Sequence, residues 1–271
     1  MSELDETAIK PVAELAVQAG SAIMRYFGNA KAQLKSDGSP VTLADAEAEA
    51  IITPGLQRLF PGTPVIAEEA ASSGILPETG KEFFLVDPLD GTREFLAGNH
   101  DFTVNIGLVR DRAPVAGVIF APASARLWIG ADRCHTCDIA PGERMGSSRN
   151  WREIHVRPLP SAGLIVAASR SHRTAQTEEY VARLPVGEYR KAGSSLKFCL
   201  VAEGAADVYP RFGPTMEWDT CAGHAIVAAA GGVVCAPDGR PFLYGKREQN
   251  YRNREFIATS DFDALMRVRE A

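Results

Sequence analysis

The sequence of 271 residues has no apolar run approaching the about 18 residues of a helical membrane span, and no cluster of Lys and Arg. The first absence argues against an integral membrane segment. The second leaves no electrostatic footprint for nucleic acid, in keeping with a net charge of −5. A small anionic ligand remains open, because a few local cations outweigh a weak net charge. There is no internal repeat, low-complexity tract or linker. Residues 1–10 are acidic and lack the apolar stretch of a signal peptide. Cysteine is scarce and odd in number, five in all, which argues against a disulfide framework and sets the expectation of a reducing cytoplasm. Cys134 and Cys137 form a lone CxxC; His135 lies between them, but no second pair at zinc spacing accompanies it, and an ordinary surface turn is expected there.

At 45% hydrophobic and 23% charged residues, the chain has the composition of a globular protein, large enough for one domain or two halves sharing a core. Ile9, Val12, Ala16, Ala19, Ile23 and Tyr26 recur at helical spacing, with Gly28 as a stop. Thr42-Leu-Ala-Asp45 has the spacing of a capping box and predicts a second helix, bent or ended by Pro54. Short apolar strands follow at Pro64–Ala67 and Phe83–Val86. A meander is expected over Phe102–Val109, Val115–Phe120 and Arg126–Ile129, with turns at Asp111-Arg112 and Pro122. Beyond a boundary near 155–162 the texture changes to a buried strand at Leu164–Ala168 and helices at about 173–184, 195–203 and 220–230. The expected fold is therefore α+β or α/β, a mostly antiparallel half over residues 1–158 followed by a smaller βαβ-like half over 159–271.

The carboxylates are the informative feature. Glu68-Glu69 ends one predicted strand, Asp87-Pro-Leu-Asp90-Gly-Thr92 ends the next, and Asp219 opens a helix far downstream. Strand ends and helix starts are common places for functional groups. Pro88 favours a turn and Gly91 frees the chain, so Asp87 and Asp90 can share a cavity with the Leu89 carbonyl between them. Carboxylates converging without basic partners would repel, and a hard cation such as Mg²⁺ or Mn²⁺ resolves that. The spacing after Asp90-Gly91 lacks the rest of a calcium EF-hand loop. Each segment also has a plainer reading. Asp45 serves as a capping-box residue, Asp219 as a helix cap, and Asp87–Gly91 as a tight turn.

In this order, Glu-Glu, Asp-Pro-Leu-Asp-Gly-Thr and Trp-Asp resemble the inositol monophosphatase superfamily, from Pro40–Asp45 to about Gly232. DPLDGTREFLAGNHDFTVNIGL at 87–108, GSSLKF at 193–198, YPRFGP at 209–214 and WDTCAGHA at 218–225 are most similar to its CysQ-type 3'(2'),5'-bisphosphate nucleotidases. Glu217, where an apolar residue is expected, and Cys221, in place of a small residue, depart from the pattern; Glu217 lies close enough in sequence to alter substrate preference, and Cys221 reads as packing.

The resemblance implies a layered αβαβα sandwich and a phosphatase that takes 3'-phosphoadenosine 5'-phosphate to AMP. Phosphatases of the same fold acting on inositol monophosphate, histidinol phosphate or fructose 1,6-bisphosphate are the alternative, and a non-catalytic binder is the third reading. It further implies one Mg²⁺ held by Glu68, Asp87 and the Leu89 carbonyl, and a second held by Asp87, Asp90 and Asp219, with Mn²⁺ able to substitute. Asp45 and Thr92, with Glu68, would activate the attacking water, and a third, weaker ion would sit near Asp37 and Asp45. Gly91, Thr92, Ser169, His172, Ser194, Ser195, Lys197, Arg211 and Asp219 would contact substrate, with Arg93 and His224 less central. For Lys197 the plainer reading is a solvated helix face, for Ser169–His172 a helix cap, and for His224 a structural role. Inhibition by Li⁺, a homodimer and a role in sulfur metabolism complete what the resemblance implies.

Overall fold

The computed structural model describes residues 6–35, 38–146, 150–169 and 174–270. A two-stranded hairpin, β1 (Gln33–Leu34) and β2 (Pro40–Val41), follows the first helix, α1 (Glu6–Met24). A seven-stranded sheet then runs in sequence order through β3 (Val65–Ala67), β4 (Glu82–Asp90), β5 (Thr103–Arg110), β6 (Ala113–Ala121), β7 (Arg126–Gly130), β8 (Cys134–Asp138) and β9 (Arg152–Glu153). The edge pair β3–β4 is parallel and the rest is antiparallel. The second sheet has five strands: β10 (Leu164–Ser169), β11 (Val186–Ala192), β12 (Val208–Arg211), β13 (Val233–Cys235) and β14 (Phe256–Thr259), in the order β11-β10-β12-β14-β13. It is mixed: β10 runs parallel to β11 and β12, while β14 is antiparallel to both β12 and β13.

Three hydrophobic clusters define the layers. Helices α1 and α2 (Leu43–Leu59) cover the outer face of the large sheet through Val12, Ala16, Ile23, Ile52 and Leu56. Between the sheets lie α6 (Leu196–Ala202) and α7 (Glu217–Ala229), with Phe198, Trp218, Cys221 and Ile226 in the central core. On the far face of the small sheet, α5 (Ala175–Val181) and α8 (Phe262–Glu270) bury Tyr180, Val181 and Leu265. The two remaining helices, α3 (Glu68–Ser72) and α4 (Thr92–Leu96), are single short turns at strand ends. The result is the expected αβαβα sandwich. No described helix is long and apolar enough to cross a membrane.

Three local expectations need correction. Pro54 does not end α2, which continues to Leu59 with the proline inside it. The CxxC lies in a strand rather than a surface turn, with Cys134 and Cys137 0% and 1% exposed. Three residues apart in a strand, they point to opposite faces and join different cores, so they cannot act as a pair. Finally, β4 does not stop at Val86 but runs on through the Asp-Pro-Leu-Asp motif.

Candidate active site

That last correction explains how Asp87 and Asp90 come together. Residues three apart in a regular strand face opposite ways. Here Asp87 pairs with Asn105 and Asp90 with Thr103, so three steps on β4 match two on β5. The extra residue is a β-bulge, and it returns Asp90 to the face that carries Asp87. Pro88 is tolerated because β3, which pairs with Phe84–Val86, has already ended. Gly91 then turns the chain at φ 93°, where a Cβ would come within 2.9 Å of the Asp101 carbonyl.

Asp219 arrives on α7. Gly107, Gly117 and Gly130 stand side by side on β5, β6 and β7. A Cβ on any of them would come within 2.4–2.8 Å of α7, at Cys221 Sγ, the Ala222 carbonyl or Ile226 Cα. The row of hydrogens lets the helix lie against the strands and brings its first turn to the end of β4. Asp219 is not the N-cap itself, which is Met216, but the third residue of α7; its Oδ2 accepts from the Met216 N–H at 2.8 Å while the residue also lines the cavity.

A cavity of about 530 Å³ opens between the sheets, lined by the carboxylates of Glu68, Asp87, Asp90, Glu94 and Asp219 and by the cations Lys197 and Arg211. Leu89, Gly91, Thr92 and Arg93 line it too, as do Ser169 and Ser194. Burial first, and then repulsion from Glu68 and its other acidic neighbours, hold the Asp87 carboxyl far above the usual range. Burial also raises the Asp219 carboxyl well above its usual range, reinforced by Asp90 and Glu68. Asp90 is also raised by burial, although Lys197, Ser195 and Asn105 oppose the shift. Among the described residues no three His, Cys, Asp or Glu side chains close around one point. The Glu68 carboxylate turns instead to Lys35 Nζ at 2.7 Å, which also meets Glu69 at 2.7 Å.

Asp45 has two distinct oxygens. Oδ2 accepts from the Thr42 N–H at 2.8 Å and its hydroxyl at 2.7 Å, closing the expected capping box. Oδ1 faces Thr92 Oγ1 at 3.3 Å, which also lies 3.2 Å from the Leu89 carbonyl. Burial raises the Asp45 carboxyl, partly offset by Thr42.

Other expected residues fall differently. Lys197 is not on a solvated face: it is 3% exposed, donates to the Ser194 and Ala192 carbonyls, and lies over the Tyr209 ring. Burial lowers its ammonium to about 8. Ser195 is behind the wall, its one hydroxyl proton shared between Asp90 Oδ2 at 3.0 Å and the Asp219 carbonyl at 2.9 Å. Glu217 is fully buried, with its carboxylate on the backbone of Gly245 and Lys246, so it does not reach the cavity as its sequence position implied. His224 bonds Tyr244 in the interior, the structural role. Asp37 and His172 lie outside the described residues.

Sequence reasoning missed Asn105 and Lys35. Asn105 is fully buried, accepts from Thr103 and donates to Asp90 Oδ2 at 3.2 Å and Ser195 at 2.9 Å. A polar residue amid the apolar run of β5 was its only signal. Lys35 was visible only as one charge in a polar loop.

The chain belongs to the inositol monophosphatase family, whose pattern it matches over residues 4–265. Within that family it is 42% identical to the 3'(2'),5'-bisphosphate nucleotidase CysQ of Escherichia coli O157:H7 over 240 residues, 88% of this chain and 94% of that protein. It is also 42% identical to the Salmonella typhimurium CysQ over 254 residues, 93% and 99% of the two chains. The crystal structure of CysQ from Bacteroides thetaiotaomicron superposes with a TM-score of 0.78 at 36% identity, covering 94% of this chain and 97% of that one.

Proposed function

We propose that the cavity is the active site of a 3'(2'),5'-bisphosphate nucleotidase, which hydrolyses 3'-phosphoadenosine 5'-phosphate to AMP and phosphate. The observation that carries this reading is the shared cavity, lined by Glu68, Asp87, Asp90, Glu94 and Asp219 together with Arg93, Lys197 and Arg211. An all-oxygen donor set whose carboxyls are raised by burial and mutual repulsion suits a hard divalent cation. Glu68, Asp87 and the Leu89 carbonyl would hold one Mg²⁺ and Asp87, Asp90 and Asp219 a second, with Mn²⁺ as a substitute and a weaker third ion near Asp45 and Asp37. Bound there, the ions would supply Lewis acidity and neutralise charge on the transferring phosphoryl group.

The chain's own residues supply the proton path and the positioning. Thr92 Oγ1 orients the attacking water and passes a proton to Asp45 Oδ1, the oxygen that Thr42 leaves free. The raised Asp45 carboxyl makes a stronger base than an exposed aspartate. Glu68 lines the same cavity and would share in activating the water. The water oxygen bonds to phosphorus as the P–O bond to the 3' oxygen breaks, and that oxygen takes a proton from solvent to leave as the hydroxyl of AMP. Gly91, Thr92, Ser169, Ser194 and His172 bind substrate in this reading, and Ser195 acts through Asp90. Lys197 and Arg211 bind the phosphate that is not transferred, by charge-assisted hydrogen bonds. The site lies between residues 1–158 and 159–271, taken as two halves, in a protein that acts in the cytoplasm as a homodimer and is inhibited by Li⁺.

Phosphate release from 3'-phosphoadenosine 5'-phosphate and from inositol 1-phosphate, with Mg²⁺ and with EDTA, tests the assignment. Preference for the nucleotide, abolished by EDTA, is expected. Preference for the inositol phosphate would overturn the substrate, and release unaffected by EDTA would overturn the metal site.

A further inference from the structure

Asp219 can serve as a ligand only if the first turn of α7 is correctly placed, and that turn is held from outside the cavity by residues 242–253. Glu217 Oε2 accepts from the Gly245 N–H at 2.7 Å. Its Oε1 accepts from the Lys246 N–H at 2.9 Å and pairs with Lys246 Nζ at 2.7 Å. The Lys246 ammonium lies 5.3 Å from both the Phe242 and Tyr244 rings. At the other end of the segment, Asn253 Nδ2 donates to the Met216 carbonyl at 2.7 Å, Thr220 Oγ1 at 3.0 Å and Thr215 Oγ1 at 3.2 Å. Backbone bonds join the same two stretches, Glu217 N–H to Tyr251 O at 2.8 Å and Asn253 N–H to Thr215 O at 2.9 Å.

Thr220 gathers these contacts one residue from Asp219. Its hydroxyl accepts from Asn253 and from Tyr244 (3.3 Å) and donates to the Glu217 carbonyl at 3.2 Å. Asn250 and Tyr251 sit in the left-handed region at φ 52° and 57°, uncommon for residues other than glycine. Such a backbone persists where surrounding contacts over-determine it. Residues on both sides of Asp219 are thus tied to one segment that itself contributes nothing to the cavity wall.

We infer that residues 242–253 form a strap that positions Asp219 for its metal ion, with Glu217 and Asn253 as the positioning residues. The inference rests on Asp219 being a ligand. The strap explains why a carboxylate occupies position 217. A buried acceptor there meets two backbone N–H groups and an ammonium, which an apolar side chain would leave unpaired.

Mn²⁺ binding to the metal-free protein, followed by electron paramagnetic resonance, tests it without relying on turnover. Glu217→Gln keeps the shape but turns an NH₂ group toward donors, and Asn253→Ala removes three bonds. Both are expected to weaken Mn²⁺ binding about tenfold, as loss of an outer partner of a metal ligand does. Arg157→Met is the control. It strands the buried Asp207, which Arg157 meets twice at 2.7 Å, and so lowers thermal stability away from the site. It is expected to leave Mn²⁺ binding unchanged. Asp219→Asn separates the two layers of the argument. If it loses an ion while Glu217→Gln and Asn253→Ala bind normally, the strap is overturned. Equal weakening by Arg157→Met overturns it too, because general destabilisation then accounts for the effect. If Asp219→Asn binds as the parent does, the ligand assignment itself falls.

Discussion

Asp45 shows how one side chain joins local structure to chemistry. As third residue of α2 it caps its own helix through Oδ2, and this leaves Oδ1 as the oxygen facing Thr92. The capping-box and functional readings, alternatives on the sequence alone, are compatible because a carboxylate has two acceptor atoms. His224 is the opposite case. Burial depresses its imidazole to about 3, and its Nδ1 lies 3.2 Å from the Tyr244 hydroxyl. Unfolded chains take up a proton near 6.5 that the folded protein refuses, so stability is full above that pH and falls as pH drops toward 3. At pH 5 the loss is about 2 kcal/mol. Urea unfolding at pH 7 and pH 5 checks this: His224→Gln is expected to lose less stability over that interval than the parent, and an equal loss would mean the imidazole does not titrate as described.

At the scale of elements, the site is made by two backbone devices. The bulge in β4 puts Asp87 and Asp90 on one face, and the glycine row on β5, β6 and β7 admits α7 to the same sheet. Gly107→Ala would place a methyl 2.5 Å from Cys221 Sγ and 2.8 Å from the Ala222 nitrogen. The helix would have to retreat, at a cost of about 1–3 kcal/mol, and Asp219 would move with it. The expected result is a lower melting temperature together with weakened metal-dependent turnover. Adding Cys221→Ala should recover part of both, because it removes the nearest of the three obstructing atoms, Cys221 Sγ. No recovery in that double-mutant cycle would mean that the helix does not rest on this contact. Neither device was legible in the sequence. A bulge depends on the pairing register of two strands, and single glycines within strands carry no label for the helix they will meet.

Across the whole molecule, the two sheets and the helices between them hold together groups that repel. Asp87 is 2% exposed and ionises only against burial and the charges of Glu68, Asp90 and Asp219. A carboxylate raised in the folded state costs stability as pH rises above its unfolded value, so at neutral pH the metal-free fold is strained there. Asp87→Asn is therefore expected to raise the stability of the metal-free protein. If Mg²⁺ binds the folded state as proposed, the parent's melting temperature rises with Mg²⁺ and that of Asp87→Asn does not. Thermal melts in EDTA and in Mg²⁺ decide this. A variant less stable than the parent in EDTA would contradict the electrostatic account.

What the sequence by itself determined is local or periodic: the helical spacing of α1, the cap at Thr42, the apolar strands of the meander, and the carboxylate motifs in their order. These follow from neighbouring residues and their spacing, so they can be read along the chain. The family pattern extended that reading to the layered fold and to a metal-dependent phosphatase. Only the tertiary structure decided the rest. It placed Cys134 and Cys137 on opposite faces, turned Glu217 away from the cavity, buried Lys197 within it, and set Asn105 behind Asp90. Each depends on which face a side chain takes and on what lies opposite it, and both are settled by strand register and helix packing between residues distant in sequence.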